Sequence, residues 1–76
     1  MISFNQYMNI PRWKNKFGQK VREKRKEEGL SQEKLSFEAD LNRTYIGMIE
    51  RGERNPTLRS MIKIADALEV NIKELL

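Results

Sequence analysis

Ser31-Gln32-Glu33-Lys34-Leu35-Ser36-Phe37-Glu38-Ala39-Asp40-Leu41-Asn42-Arg43-Thr44-Tyr45-Ile46-Gly47-Met48-Ile49-Glu50-Arg51-Gly52 is the stretch on which the reading of this chain turns. The Ser31 hydroxyl can cap a helix, and Gln32 and Glu33 follow in the first turn, where an acid favours the helix dipole. Leu35 and Ala39 lie one turn apart and predict an inward face. The pattern breaks at Asp40-Leu41. Asn42 then offers a second cap, and Ile46 and Ile49 supply the inward face of a helix from Arg43 to about Arg51. Gly52 closes it, glycine being the residue that most easily takes the left-handed closing conformation. Two short helices, 31–39 and 42–51, are therefore expected across a very short break.

Upstream, Trp13, Phe17 and Val21 recur every four residues, which predicts a helix from Trp13 that ends at Gly29. Residues 1–12 mix Asn and Gln with scattered Phe4, Tyr7, Met8 and Ile10, and Pro11 interrupts them, so they read as an arm ahead of a domain spanning 13–76. Downstream, Glu53-Arg54-Asn55-Pro56 is turn chemistry. Thr57 caps a fourth helix whose buried side is expected to carry Leu58, Met61, Ile62, Ala65 and Leu68. Asn71 caps a last short helix, Ile72 to Leu76. No alternating Val/Ile/Thr-rich run predicts a strand. The expected fold class is all-α: one compact bundle of five helices.

A chain of 76 residues fits one domain. A domain this small buries only about 60% of the surface its unfolded chain exposes. It contains no Cys and no His, so disulfides are impossible and zinc lacks its usual nitrogen and sulfur ligands. Helix packing and association between subunits remain as sources of stability. The lack of Cys, the lack of an apolar run of about 18 residues and the absence of a secretory pattern in the first residues together predict a cytoplasmic protein with no membrane attachment.

The net charge of +4 is unevenly spread. Residues 1–30 carry eight cations, Arg12, Lys14, Lys16, Lys20, Arg22, Lys24, Arg25 and Lys26, against three anions, a net +5. Residues 31–56 carry four cations and five anions, and residues 57–76 balance. Such an excess points to a polyanionic partner or to a solvated surface. Two short helices across a short break suit a helix-turn-helix, whose second helix lies in the DNA major groove. Enzyme chemistry has little to stand on. Without His or Cys, general base or nucleophile work falls to Asp, Glu, Lys, Ser or Tyr, and neither a carboxylate pair at a recognisable spacing nor a Gly-rich phosphate loop is present. No cofactor, metal or small-molecule effector is signalled.

Gly29-Leu30-Ser31-Gln32-Glu33-Lys34-Leu35, Leu41 through Thr57, and the tail Ile64-Ala65-Asp66-Ala67-Leu68-Glu69-Val70 resemble the phage-repressor (Cro/CI-type) helix-turn-helix family. Within it, Asn42 to Asn55 is most similar to controller proteins of restriction–modification systems. The resemblance covers about residues 17–76 and implies a lambda-repressor-like DNA-binding domain. The DNA-facing set it implies is Gln32, Asn42, Arg43, Thr44, Tyr45, Met48, Arg54 and Asn55. Gln32 would also brace the recognition helix, and Arg54 and Asn55 would approach phosphates. Arginine suits this role because its fork pairs with guanine O6 and N7. Arg25 and Glu50 match a partly buried ion pair that ties the first helix to the recognition helix. Asp40 stands where the family often has Gly, and it tolerates the left-handed turn better than most residues. Met48 stands where relatives often carry a polar base-contacting residue; it either packs on a thymine methyl or faces solvent.

Other positions keep two readings. Trp13 is a lid on the core or a base stacker, and Lys14, Lys16 and Lys20 are phosphate contacts or solvated surface. Arg12 and the arm reach an adjacent groove or stay disordered. Val70, Ile72, Leu75 and Leu76 are the end of the core or, as in the family's C-terminal helices, a dimer interface. The function implied is a transcriptional regulator binding a palindromic operator on double-stranded DNA as a homodimer, with restriction–modification genes as candidate targets. The alternative is an antitoxin-type protein that binds a partner protein as well as its own promoter.

Overall fold

A computed structural model describes the backbone of residues 12–76 and the side chains from residue 16 onward. Expectations for residues 1–11 and for the side chains of Arg12, Trp13 and Lys14 fall outside the described residues. Four α-helices and one 3-10 turn make up the described chain: α1 Arg12–Glu27, α2 Gln32–Ala39, α3 Arg43–Glu50, α4 Leu58–Leu68 and the turn Ile72–Leu75. Each of the last four is opened by a side-chain cap, Ser31, Asn42, Thr57 or Asn71. Among the described residues there are thus four α-helices, and the expected fifth, from Ile72, is the 3-10 turn. The final element is wound with three-residue hydrogen bonds, Glu74 N–H donating to the Asn71 carbonyl at 2.9 Å, and the Glu74 side chain returns to the Asn71 N–H to complete a capping box.

Asp40 and Gly52 make the reversals that aim α3. Asp40 closes α2 in the left-handed conformation at φ 55°, ψ 49°. This is a region few residues other than Gly, Asn and Asp tolerate well. Gly52 takes φ +73° just beyond α3, where a side chain would be strained.

The core is formed by Phe17 and Val21 of α1, Leu35 and Ala39 of α2, Ile46 and Ile49 of α3, Ile64, Ala65 and Leu68 of α4, and Leu75. Leu30 is half-buried against it. Two further expectations need correction. Leu58 and Ile62 of α4 are exposed, and Ile64 takes the buried place instead. The cause is Ser60, which faces inward and receives hydrogen bonds from the Thr57 and Tyr45 hydroxyls at 2.9 and 3.0 Å. With Ser60 inside, residues 58 and 62, about 200° away around the helix, face outward. Leu75 is wholly buried, so within the suggested C-terminal dimer patch it belongs to the core of its own chain; Val70 and Ile72 are partly buried against that core, and Leu76 is exposed.

Gly18 sets the distance between α1 and the end of α3. A Cβ there would collide with the Ile49 carbonyl oxygen and lie 3.0 Å from the Glu50 carbonyl oxygen. Backbone cannot yield as a flexible side chain does. Gly18→Ala should therefore lower stability by about 1–3 kcal/mol through overpacking, although alanine is better than glycine in a helix by about 1 kcal/mol. Thermal unfolding checks this: a fall of at least about 4 °C is expected, whereas an unchanged or higher midpoint contradicts so close an approach of the two helices.

Candidate nucleic-acid interface

The inward side of α3 is fixed by Ile46 and Ile49, both essentially without exposure. Glu50 is buried with them. Its carboxylate accepts from Arg25 Nε at 2.7 Å, from Arg25 Nη2 at 3.0 Å and from Gln32 Nε2 at 3.1 Å. Arg25 also donates to the Leu30 carbonyl at 2.8 Å. One buried carboxylate thus joins α1, the loop after it, the start of α2 and the end of α3. The Glu50 side chain is 2% exposed and that of Arg25 10%, so this pair is shielded from water. The hydrogen bond to Glu50 raises the Arg25 pKa above its ordinary value, against an opposing pull from burial. The chemistry here is structural. It locks the orientation of α3.

With that side fixed, the opposite face of α3 is presented to solvent. Asn42 caps the helix, its Oδ1 accepting from the Thr44 and Tyr45 N–H groups at 2.7 and 3.4 Å. Arg43 and Thr44 are exposed in the first turn, and Met48 is half-exposed a turn later. Gln32 stands half-exposed beside them, bracing Glu50 as described. Tyr45 is turned aside. Its hydroxyl donates to Ser60 and receives the Thr57 N–H at 3.4 Å, which pins α3 to the start of α4. The Arg54 guanidinium lies 5.6 Å from the Tyr45 ring centre, so the ring seats a cation that projects from the α3–α4 loop. Asn55 follows it, exposed. Asn42, Arg43, Thr44 and Met48 therefore stand on or at the head of one helix, with Gln32 at its flank and Arg54 and Asn55 at its far end. Lys16 is exposed on α1, and the Lys20 ammonium donates to the Leu76 carbonyl at 3.0 Å.

One residue escaped the sequence reading. Arg51 caps the end of α3 and its guanidinium reaches back along the helix: a Cβ added to Gly47 would be 3.1 Å from Arg51 Nη1 and 3.6 Å from Gln32 Oε1. The spacing from Gly47 to Arg51 is the signal, since residues four apart share a helix face. Arg51 pairs with Glu53, Nε to Oε2 at 2.7 Å and Nη2 to Oε1 at 3.2 Å. That hydrogen bonding raises the Arg51 pKa and lowers that of Glu53.

A helix locked by its rear face, capped at its free end and offering arginine and threonine outward is the arrangement of a DNA recognition helix. The helix-turn-helix family model matches residues 21–75. The chain belongs to the helix-turn-helix family of DNA-binding transcription regulators. Among its relatives, it is 57% identical over 61 residues to control protein C.BamHI of Bacillus amyloliquefaciens, covering 79% of this chain and 75% of that protein. It is 48% identical over 56 residues to control protein C.SmaI of Serratia marcescens, covering 74% and 67%. The structure superimposes on the restriction-modification controller protein C.AhdI of Aeromonas hydrophila with a TM-score of 0.80 at 48% identity, covering 82% of this chain and 94% of that one.

Proposed function

We propose that this protein is the controller of a restriction–modification gene set: a transcription regulator that reads a palindromic operator by inserting α3 into the major groove. The observation that carries this is the free N-terminal end of α3, where Arg43 and Thr44 are exposed and Met48 half-exposed a turn later, while Glu50, Arg25 and Gln32 clamp the helix to the rest of the bundle. Arg43 takes a guanine edge through its fork. Thr44 offers a hydroxyl and a methyl, and Met48 an apolar surface for a thymine methyl. Arg54, seated on Tyr45, and Asn55 meet the backbone beside the groove. The names of the two control proteins and of the controller structure support the restriction–modification assignment.

The operator is bound by two copies. One recognition helix spans only a few base pairs, too few to distinguish a site within a genome. Two helices about one DNA turn apart double the readout. With Leu75 inside the core, the side chains left for a second copy are Leu58 and Ile62, which are one turn apart on α4, together with Leu76 and the exposed parts of Val70 and Ile72.

Titration against duplex DNA over a range of salt concentrations tests the proposal. Each phosphate neutralised by Lys or Arg contributes about −0.9 to the log–log slope, so affinity should fall steeply with salt, and the mass of the complex should be that of two chains per operator. A flat salt response counts against DNA as the partner. One chain on a full operator counts against the dimer.

A further inference from the structure

The segment that reads DNA is not basic. Residues 31–56 carry one more anion than cation, although this stretch holds the recognition helix. Four of the five anions are paired: Glu38 with Lys34 and Asp40 with Lys63 at 3.6 and 3.7 Å, and, more tightly at 2.7 Å, Glu50 with Arg25 and Glu53 with Arg51. The Glu53–Arg51 pair is unlike the buried Glu50–Arg25 pair. Its side chains are 55% and 52% exposed, so it contributes little to stability, and it lies at the solvent-exposed C-terminal end of α3. Its geometry is nevertheless well defined. The left-handed Gly52 turns the chain so that the Glu53 N–H donates to the Met48 carbonyl at 2.8 Å. That anchors the Glu53 backbone against the end of α3 and brings its carboxylate beside the Arg51 guanidinium. Arg51 reaches back over Gly47, where the absent side chain leaves room for it, toward Gln32. Arg22, Gln32 and Arg51 line one cleft of about 220 Å³, whose floor is the Arg25–Glu50 pair. Arg22 forms no ion pair among the described residues.

We infer that Glu53 is an affinity-setting latch: it holds Arg51 in a neutral pair at the C-terminal end of α3 and so withholds one cation from the phosphate backbone. The inference rests on the reading of α3 as the DNA-facing helix. Physically, the latch is weak enough to matter. An exposed pair contributes about 0–1 kcal/mol, and a phosphate offers the same guanidinium a competing pair of oxygens. Removing the carboxylate frees the guanidinium for the backbone on any sequence. The effect acts toward tighter binding and runs through Arg51.

The test uses the full chain and a duplex of arbitrary sequence, with four proteins: the parent, Glu53→Gln, Arg51→Ala and the double variant. Glu53→Gln should bind about three- to tenfold tighter at moderate salt, with a log–log salt slope steeper by about 0.9, the value for one added phosphate contact. In the Arg51→Ala background the same substitution should leave the slope unchanged. All four should melt alike, because neither side chain supports the core. Unchanged or weaker binding by Glu53→Gln overturns the latch. So does a steeper slope that persists without Arg51, since Glu53 would then act through its own charge. Failure of the parent to bind the duplex with any salt dependence is a different result, and it overturns the reading of α3 itself.

Discussion

Arg25→Ala should remove a large part of the folding stability. Glu50 is the reason. Its carboxylate is buried at the junction of three helices and accepts two hydrogen bonds from Arg25 and one from Gln32. Taking away Arg25 removes the countercharge and leaves an ionised group in a site with little water. Breaking such a pair from one side costs about 3–5 kcal/mol. The total stability available to a 76-residue chain is only about 4–11 kcal/mol. The Leu30 carbonyl loses its donor as well, which loosens the loop between α1 and α2. Denaturant unfolding followed by circular dichroism measures the loss. A companion variant, Arg25→Met with Glu50→Met, removes both charges and should recover much of it, since two apolar side chains leave no stranded ion. If Arg25→Ala melts like the parent, the pair is not shielded as described and the rear clamp on α3 does not exist.

Arg43→Ala should do the reverse: leave folding intact and weaken operator recognition. Arg43 is exposed in the first turn of α3, so its loss should change stability by no more than about 0.5 kcal/mol. If it reads a guanine through its fork, its loss should weaken operator binding by about 1–3 kcal/mol, or about five- to 150-fold. Binding to DNA of unrelated sequence should fall far less, and selection at one base position should relax. Parallel titrations on operator and scrambled duplexes separate the two quantities. An equal factor lost on both would make Arg43 a phosphate contact and pass the base reading to Thr44 or Met48.

Much of this fold was legible because its punctuation is local. Ser31, Asn42, Thr57 and Asn71 each cap the element they precede, and capping depends on a side-chain oxygen and the next few N–H groups. Asp40 makes the left-handed turn for an equally local reason. The rotation of α4 was not legible. Leu58 and Ile62 are as good an apolar pair at helical spacing as Ile64 and Leu68, and what decides between them is the Tyr45–Ser60–Thr57 hydroxyl network, a contact between distant parts of the chain. The same network turns Tyr45 toward α4, which a reading of neighbouring residues along α3 does not reveal. Gly18 looks in the sequence like a weak point in a helix; only the packed structure turns it into a requirement. Leu75 could not be assigned to core or surface from its composition, because a short apolar tail satisfies both. Arg51 was legible in principle from its spacing to Gly47, but its pairing with Glu53 depends on the backbone reversal at Gly52.

The central claim is that α3 reads a defined DNA sequence, with two copies side by side. Selection of bound duplexes from a random pool tests it most directly. The expected result is a single enriched motif made of two inverted half-sites with centres about one helical turn, 34–36 Å, apart, and relaxed selection at one symmetric pair of positions when the selection is repeated with Arg43→Ala. A pool that stays random through repeated rounds, or an enriched motif that Arg43→Ala leaves unchanged, would contradict it.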